Sequence, residues 1–456
     1  MGKLVRVGAA QGFYGDSLEA GLEMAHQGVI DYLAFDALSE LTLAILAKDQ
    51  AKNPQWGYAK DLVPAMRVLL PWMRRHGFKI LTNAGGINSE AAQAAVLDVA
   101  SQLGMTGLRV AVVTGDDLRG RLLELMNQGL LGTDLENGRS FAEIYDALLF
   151  ANVYLGAGPL VQALKMGADV VISGRTTDSA QFMAPLLYEF GWQAQDWDAL
   201  AAGVLMGHLL ECSAQSTGGN FSGSWWEVPG MDQIGYPIAH VSEDGTFVVT
   251  KAPSTGGLVT RDTVKEQMLY EIHDPRAYIT PDVVADFTYA RLEDIGPDQV
   301  RVTGARGNSA PPQLKMTAGY AAGYMGQAMV GYCWPGALRK AEAAAAIIQK
   351  QIVQRQWSYD EIHTAYLGWN SLAGPAVPRP SEDLNEVYLR VTVRAKTYED
   401  AAKLGRLFPP LALDGPPGLG GGAGMQPPRQ LLGMWSGLIG REWVEPYVSV
   451  RVEEVD

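Results

Sequence analysis

The segment 173–178, Ser-Gly-Arg-Thr-Thr-Asp, has the side chains of an anion-binding loop. Arg175 can bind an oxyanion through two parallel hydrogen bonds, and the hydroxyls of Thr176 and Thr177 can donate two more. Glycine at a strand-to-helix turn leaves backbone N–H groups accessible, and the N-terminus of the following helix adds partial positive charge. We therefore predict that this segment binds a phosphate or a carboxylate. The alternative is a plain capped helix start with Asp178 in its first turn.

Two pairs of neighbouring carboxyl groups could transfer protons. Asp116 and Asp117 are candidates for a general base or for ligands of a divalent metal, and the alternative is a helix N-cap with a solvated neighbour. Asp36 and Glu40 are spaced i,i+4 and share one helix face. A raised pKa on one of the two would make them an acid/base couple, and an acidic first turn of a helix is the alternative.

A histidine, a glutamate and a cysteine lie within about one helical turn, at His208, Glu211 and Cys212. The i,i+3 spacing of His208 and Glu211 is compatible with a pair of metal ligands, and Cys212 is compatible with a nucleophile beside a base. The chain lacks an HExxH motif, and cysteine is commonly a buried small hydrophobe, so a structural role is the alternative. The sequence leaves the identity of any metal unknown.

These side chains can meet only if the strands that precede them share one sheet edge. Five short apolar runs, each followed by a polar loop, predict strands over 5–9, 30–35, 78–82, 108–113 and 167–172. Helical segments separate the runs, so we expect parallel strands joined by right-handed crossovers. The carboxyl ends of such strands form a ligand-binding edge.

Glycines and polar side chains at that edge outline the predicted substrate site, and a second donor-rich segment, 215–219, adds two more glycines. The residues predicted to bind substrate are Gly12, Gly15, Asp16, Asn83, Gly85, Gly86, Gly115, Asp116, Gly174, Arg175, Thr176, Thr177, Gly218 and Gly219. The predicted catalytic residues are Asp178, Asp117, His208 and Cys212.

The pattern of predicted strands, helices and turns divides the chain into three segments. Residues 1–212 are expected to form an α/β domain with a Rossmann-like parallel sheet and helices on both faces. Short strands punctuated by turns predict a β-rich middle region over 213–375 with one helix, at 339–354. Residues 381–456 are expected to form a small α+β, ferredoxin-like unit with strands at 387–394 and 444–452 and a helix at 398–404. Its glycine-rich segment 414–424 is either a flexible linker or a loop that helps to close the anion site.

The composition of the chain excludes several classes of protein. The 36 Lys+Arg and 50 Asp+Glu give a net charge of −14, which argues against non-specific nucleic-acid binding and against a polybasic membrane patch. With two cysteines, no signal-peptide pattern and no apolar run long enough for a bilayer, we expect a cytoplasmic protein. No GxGxxG motif follows the first predicted strand, so NAD(P) is weakly disfavoured, and a divalent metal stays open as a cofactor.

Taken together, these motifs resemble the acyclic terpene utilisation AtuA family, in consistent order over about residues 4–450. The motifs that carry the resemblance are Gly12–Asp16, Asp31–Asp36 with Glu40, Asn83–Gly86, Gly115–Asp117, Gly174–Asp178, Gly207–Cys212, Thr217–Gly219, Tyr270–Pro275 and Tyr278–Val283. The resemblance implies a bacterial catabolic protein encoded beside acyl-CoA enzymes, such as a biotin-dependent acyl-CoA carboxylase and enoyl-CoA hydratases. One departure is Asp36, which stands where the family pattern is expected to have Glu.

We therefore expect an enzyme that acts on a small branched carboxylate or acyl-CoA by hydration, dehydration or C–C lyase chemistry. One alternative is a non-catalytic ligand-binding or assembly subunit for an acyl-CoA carboxylase or hydratase. Another is hydrolysis of a thioester or lactone through Cys212. The 11 tryptophans suit an acyl pocket or an oligomer interface, and we expect a homo-oligomer.

Overall fold

The computed structural model describes residues 2–422 and 426–456. The chain forms two compact units: a large unit, Met1–Gly319 with Met434–Asp456, and a small unit, Tyr320–Gly433. These units differ from the three predicted segments, whose independence as domains stays a prediction. Ala423 and Gly424, at the end of the predicted glycine-rich segment, lie outside the described residues.

The described residues contain strands throughout both units. In chain order the strands are β1 (Leu4–Gln11), β2 (Tyr32–Phe35), β3 (Lys79–Thr82), β4 (Arg109–Thr114), β5 (Leu148–Val153), β6 (Val170–Ser173), β7 (Pro237–Ser242), β8 (Phe247–Lys251), β9 (Tyr278–Ile279), β10 (Val284–Asp286), β11 (Arg291–Gly296), β12 (Gln299–Thr303), β13 (Arg306–Asn308), β14 (Gln313–Cys333), β15 (Glu361–Leu367), β16 (Glu386–Ala395), β17 (Leu419–Gly420), β18 (Arg429–Gly440) and β19 (Ser449–Glu454).

Helices alternate with the strands of the N-terminal half. In chain order the α-helices are α1 (Glu19–Gln27), α2 (Glu40–Lys52), α3 (Leu62–His76), α4 (Ser89–Gln102), α5 (Leu122–Asn127), α6 (Gly158–Lys165), α7 (Ala180–Phe190), α8 (Trp197–Glu211), α9 (Arg261–Leu269), α10 (Ala337–Gln354), α11 (Tyr398–Lys403) and α12 (Leu411–Asp414). Short 3-10 helices connect several elements, and the one at Ser213–Thr217 follows α8 directly.

The large unit is built on a ten-stranded mixed sheet with the order β11-β12-β8-β7-β1-β2-β3-β6-β4-β19. The five strands predicted from the sequence, β1, β2, β3, β6 and β4, pair in parallel at its centre. Antiparallel strands flank them, with β7 on β1 and β19 on β4. The predicted α/β class is thus confirmed in its coarse form, and the sheet is mixed because antiparallel strands extend the parallel centre on both sides.

Burial explains why the central strands could be predicted from the sequence. Every residue of β2, Tyr-Leu-Ala-Phe, and of β6, Val-Val-Ile-Ser, is buried, as expected for parallel strands covered on both faces. Helix α8 is buried at every residue from Leu200 to Glu211, so it is a core helix with no solvent face along that stretch.

Two further regions of the large unit differ from simple expectation. Strand β5 was not predicted; it pairs with β14, where Tyr154 N donates to Lys315 O at 3.0 Å. The strand predicted at 444–452 corresponds to β19, which pairs with β4 of the ten-stranded sheet. Among the described residues, no helix is both long and apolar enough to cross a membrane.

The small unit contains an antiparallel sheet in the order β15-β16-β14-β17. Its core includes the buried face of α10, with Ala341 and Ile348, packed with Val391 of β16 and with Leu404 and Leu411. Helix α10 overlaps the helix predicted over 339–354, and β16 and α11 overlap the strand and helix predicted near 387–404.

Candidate active site

A cavity of about 670 Å³ lies at the carboxyl ends of the parallel strands, in the size range of small-molecule sites. The loops after β1, β2 and β6 line it, together with the start of α2, the end of α8 and the segment after α8. Its lining is acidic, and among the described lining residues Arg175 is the one cation. The carboxyl groups that line it are Asp16, Asp36, Glu40, Asp178, Glu211 and Glu271.

Asp36 follows the last residue of β2 and is buried against Asn83, which follows β3. Asn83 Nδ2 donates to Asp36 Oδ1 at 2.5 Å, and Asn83 Oδ1 accepts from the backbone N of Ala37 at 2.7 Å. Burial raises the pKa of Asp36 well above its usual range, and the charges of Asp178 and Glu211 add to the effect against the opposing charge of Arg175. Asp36 therefore favours its protonated form.

Arg175 is buried on the loop after β6 and holds several neighbours together. Its Nη1 donates to Leu38 O at 2.7 Å and to Asp178 Oδ1 at 2.8 Å. The guanidinium also lies over the ring of Tyr154, 4.1 Å from the ring centre. Its Nε is buried and has no hydrogen-bond partner among the described residues, so one donor of this cation is uncommitted.

Glu40, at the first position of α2, has the opposite character to Asp36. It accepts a hydrogen bond from the Tyr154 hydroxyl and lies 3.5 Å from Lys315 Nζ. Burial alone would raise the pKa of Glu40, but the Arg175 charge and the Tyr154 hydroxyl outweigh it and lower the pKa to about 2. Asp36 and Glu40 are thus two nearby carboxyls whose pKa values are shifted in opposite directions, the arrangement that separates an acid from an ionised partner.

Asp116 accepts a hydrogen bond from the loop that carries Arg175. Its Oδ2 accepts from the backbone N of Arg175 at 2.7 Å and from Asn152 Nδ2 at 2.8 Å. Burial raises the pKa of Asp116 to about 6. The neighbouring Asp117 instead forms an ion pair with Arg119 at 2.6 Å. Neither carboxyl is among the described residues that line the cavity.

Asp16 joins the loop after β1 to the segment after α8. The backbone N–H groups of Gly12 and Ser17 donate to its carboxylate at 3.0 and 2.8 Å. Ser213 Oγ and the Tyr236 hydroxyl donate to it at 2.5 and 2.9 Å. A Cβ at Gly12 would collide with Ser213 Oγ, so glycine is needed for this close approach. Four donors saturate the Asp16 carboxylate, which makes it an organiser of the cavity wall.

The end of α8 carries a buried histidine–glutamate pair. His208 Nδ1 lies 3.0 Å from Glu211 Oε1, and Glu211 lines the cavity while His208 lies behind it. Burial opposes the charged imidazole, but the Glu211 carboxylate outweighs it and raises the pKa of His208. Cys212, the next residue, also lines the cavity, and burial together with the Glu211 charge raises its pKa to about 12. Cys212 is therefore a neutral thiol at physiological pH.

A family model described as acyclic terpene utilisation family protein AtuA matches residues 5–450, nearly the whole chain. The chain belongs to the AtuA family. Membership indicates a catabolic role in the utilisation of acyclic terpenes. Comparison with curated proteins gives no match, and comparison with solved structures gives none either.

In this AtuA-family chain, two groups of the predicted site residues lie at the cavity or directly behind its lining. The first group lines the cavity and consists of Gly12, Asp16, Arg175, Asp178, Cys212 and Gly219. The second group stands behind the cavity lining and contacts it: Asn83 binds Asp36, Asp116 binds the Arg175 backbone, and His208 binds Glu211. Gly174 belongs with Asp116, since a Cβ there would lie 2.5 Å from Asp116 Oδ1.

Most of the remaining predicted residues have contacts elsewhere in the loops. Gly15 N donates to Asp61 at 3.2 Å, and Thr176 Oγ1 accepts from Gln181 at 2.6 Å. The buried hydroxyl of Thr177 has no partner among the described residues. A Cβ at each of the other glycines would meet a neighbour: Ser173 O at 2.5 Å for Gly85, Gly57 O at 2.6 Å for Gly86, Tyr447 O at 2.6 Å for Gly115 and Val228 at 3.0 Å for Gly218.

Several residues of the site were not among the predicted substrate-binding and catalytic residues. Asp36, Glu40 and Glu211 had a local signal, because each sits one turn from another titratable group. Tyr154 and Tyr236 had none, since their partners Glu40 and Asp16 are far away in sequence. For metals, the described residues contain no group of three or more His, Cys, Asp or Glu side chains that could hold an ion.

Proposed function

We propose that this AtuA-family protein is a catabolic enzyme that acts on a small branched carboxylate or acyl-CoA by hydratase- or lyase-type proton transfer. The opposed pKa shifts of Asp36 and Glu40, both of which feel the charge of Arg175, carry the proposal. A carboxyl that keeps its proton can act as a general acid, and an ionised neighbour beside a buried cation can orient charge.

Arg175 is the group that binds the anionic or carbonyl end of the substrate. Its Nε is free of protein partners among the described residues, and its Nη1 is fixed by Leu38 and Asp178. The rest of the lining is acidic, so phosphate groups of a CoA ester would be repelled and would remain outside the cavity. The acyl chain is therefore the part of the substrate that enters.

In a hydration, Asp36 gives its proton to one carbon of a C=C bond as a water oxygen bonds to the other carbon. A carboxylate of the cavity takes the proton that the water releases, so charge and atoms balance. The reverse sequence gives dehydration. Asp178, held by Arg175, orients that cation toward the substrate.

Deuterium incorporation tests the proposal across a range of candidate substrates at once. Purified protein is incubated in deuterium oxide with a panel of branched enoic acids, branched hydroxy acids and their CoA thioesters, and mass spectrometry reports deuterium at carbon. We expect incorporation into at least one compound, and Asp36→Asn should lower its rate by about 100-fold or more. Asp98→Asn, an exposed carboxyl on α4, is the control and should leave the rate unchanged.

Two results would overturn the proposal. One is wild-type protein that incorporates no deuterium into any compound of the panel, which, together with measured binding of a compound, would favour a non-catalytic subunit. The other is an Asp36→Asn variant with the wild-type rate.

The location, oligomeric state, partners and fold type of the protein are proposed as well. We propose a cytoplasmic homo-oligomer that works beside an acyl-CoA carboxylase or hydratase, a setting supported by the acidic composition and by family membership. The helices between the parallel strands support a Rossmann-like description of the large unit. The β16–α11 succession supports a ferredoxin-like description of the small unit.

A further inference from the structure

A second titratable pair in the cavity wall has no role in the steps above. His208 Nδ1 and Glu211 Oε1 lie 3.0 Å apart, and their side chains are only 2% and 8% exposed. Both residues belong to α8, the core helix whose last residue, Glu211, reaches the cavity. A buried pair of this kind is costly to desolvate, so its presence needs a reason beyond stability.

The surroundings of His208 fix its ring. The ring centres of Tyr278 and Phe287 lie 5.6 and 6.1 Å from it. The carbonyl oxygen of His208 accepts from Gln267 Nε2 at 2.8 Å, which anchors this turn of α8. The imidazole is therefore held with Nδ1 toward Glu211.

Glu211 has an unsatisfied oxygen. Its Oε1 is matched to His208, whereas the buried Oε2 has no hydrogen-bond partner among the described residues. An ionised carboxylate has about four lone-pair sites, and buried polar groups rarely stay unpaired unless a water or ligand completes them. Glu211 lines the cavity, so the structure places the open acceptor at its wall.

The charges around the pair also favour Glu211 over Asp178 as a proton acceptor. Asp178 is bound to Arg175 at 2.8 Å. Burial, together with the charge of Asp178, raises the pKa of Glu211 against the opposing effect of His208, so the ionised Glu211 carboxylate is the stronger base for it. The titratable groups that face Glu211 are His208, Asp178 and Glu271, and its charge also acts on Asp36, Cys212 and Tyr278.

We propose that Glu211 is the proton acceptor of the cavity and that His208 is a positioning residue that orients the Glu211 carboxylate and balances its charge. This rests on the proposed function and completes its proton balance. As Asp36 gives a proton to carbon and water adds to the other carbon, Glu211 takes the proton that the water loses. Because the Nδ1–H of His208 is donated to Oε1, Oε2 is the oxygen that receives it.

The positioning half of the proposal is tested in the free protein. With ring-¹⁵N-labelled histidine, NMR titration should give His208 a midpoint above the ordinary value for histidine, assigned by its loss in His208→Asn. In Glu211→Gln the titration midpoint of His208 should fall by about one to three pH units. The exposed His26 is the internal control, and its signals should be the same in both proteins. A midpoint of His208 at or below the ordinary value for histidine, or one that does not change in Glu211→Gln, would overturn the pairing.

The chemical half is tested by the deuterium-incorporation rate. Glu211→Gln should lower kcat by about 100-fold or more with little change in KM. His208→Asn keeps a donor near Nδ1 but loses the charge, so Glu211 becomes more basic and the acid limb of the pH–rate profile should move up by about one to three units. If His208→Asn regains activity at pH values above that limb, the variant is folded and the role of His208 is positioning.

The two proposals fail in different ways. If wild-type protein and Asp98→Asn are active and Asp36→Asn is not, while Glu211→Gln keeps full kcat, the role of Glu211 is refuted and the proposed function stands. If wild-type protein shows no incorporation at all, the proposed function fails and the assignment of Glu211 as acceptor fails with it. The NMR titration still decides the pairing in that case.

Discussion

Arg175 sets the charge of the candidate active site at the scale of single residues. It is buried, its guanidinium lies over Tyr154, and it contacts Asp178 directly. Its charge lowers the pKa of Glu40 and opposes the upward shift of Asp36. Glu40 is thus ionised beside the cation, whereas burial raises the pKa of Asp36 in spite of it.

Cys212 provides a prediction at the residue scale. Because burial raises its pKa to about 12, its thiolate fraction at neutral pH is negligible, and alkylation by iodoacetamide should be slow. The exposed Cys333 is the internal reference and should react far faster, with both rates read by peptide mass spectrometry. Cys212→Ala should also keep the deuterium-incorporation activity. Alkylation of Cys212 as fast as that of Cys333 would instead support the thioester or lactone hydrolase alternative.

At the scale of elements, the site is made where short strands end. Asp36 follows β2, Asn83 follows β3, and Arg175 follows β6 by two residues. These three positions could be predicted from the sequence because buried strands give continuous apolar runs that end at polar or glycine residues. Strand β5, Leu-Leu-Phe-Ala-Asn-Val, could not, since it has neither an alternating pattern nor flanking turn residues, and its partner β14 lies far along the chain.

The loop after β6 leads to a prediction about packing. A Cβ at Gly174 would lie 2.5 Å from Asp116 Oδ1, and Asp116 is held by the backbone of Arg175 and by Asn152. Gly174→Ala should therefore destabilise the protein by about 1–3 kcal/mol, measured by thermal or denaturant unfolding. Gly120→Ala is the matched control, because a Cβ there has nothing within 4 Å. Equal stability of the two variants would show that the loop can move away from Asp116.

At the scale of the whole molecule, an acidic chain buries carboxyl groups at the centre of its large unit. Burial raises the pKa of Asp116 and of Asp282 to about 6. A carboxyl whose pKa is higher in the folded than in the unfolded state stabilises the fold below its unfolded pKa, and that contribution is lost as the pH rises through the folded value. Glu40 has the opposite sign, and its contribution is lost only as the pH falls toward about 2.

We therefore expect stability to decrease between about pH 4 and pH 7 as Asp116 ionises, by up to about 3 kcal/mol for that group. Asp116→Asn keeps an acceptor for Arg175 N and Asn152 but cannot ionise, so it should flatten the dependence. The measurement is the unfolding free energy from urea titrations across this pH range, with Asp98→Asn as the control. An unchanged slope in Asp116→Asn would show that other groups dominate.

The whole-molecule architecture was only partly predictable. Composition and the apolar runs indicated an α/β protein, but local patterns carry no information about which distant strands pair. Strands β7 and β8 fall in the predicted β-rich middle region, yet the antiparallel attachment of β7 beside β1 depends on contacts between residues more than 200 positions apart, such as Val5 and Val241. For the same reason β19 was recognised as a strand but not as the neighbour of β4.

The pairing of β19 with β4 affects the order in which the protein can assemble during translation. Residues 109–114 are synthesised long before residues 449–454, and all of the small unit is synthesised in between. Until then the backbone of β4 is an open edge to which another chain could add. The nascent chain thus carries an unfinished sheet edge for most of its synthesis.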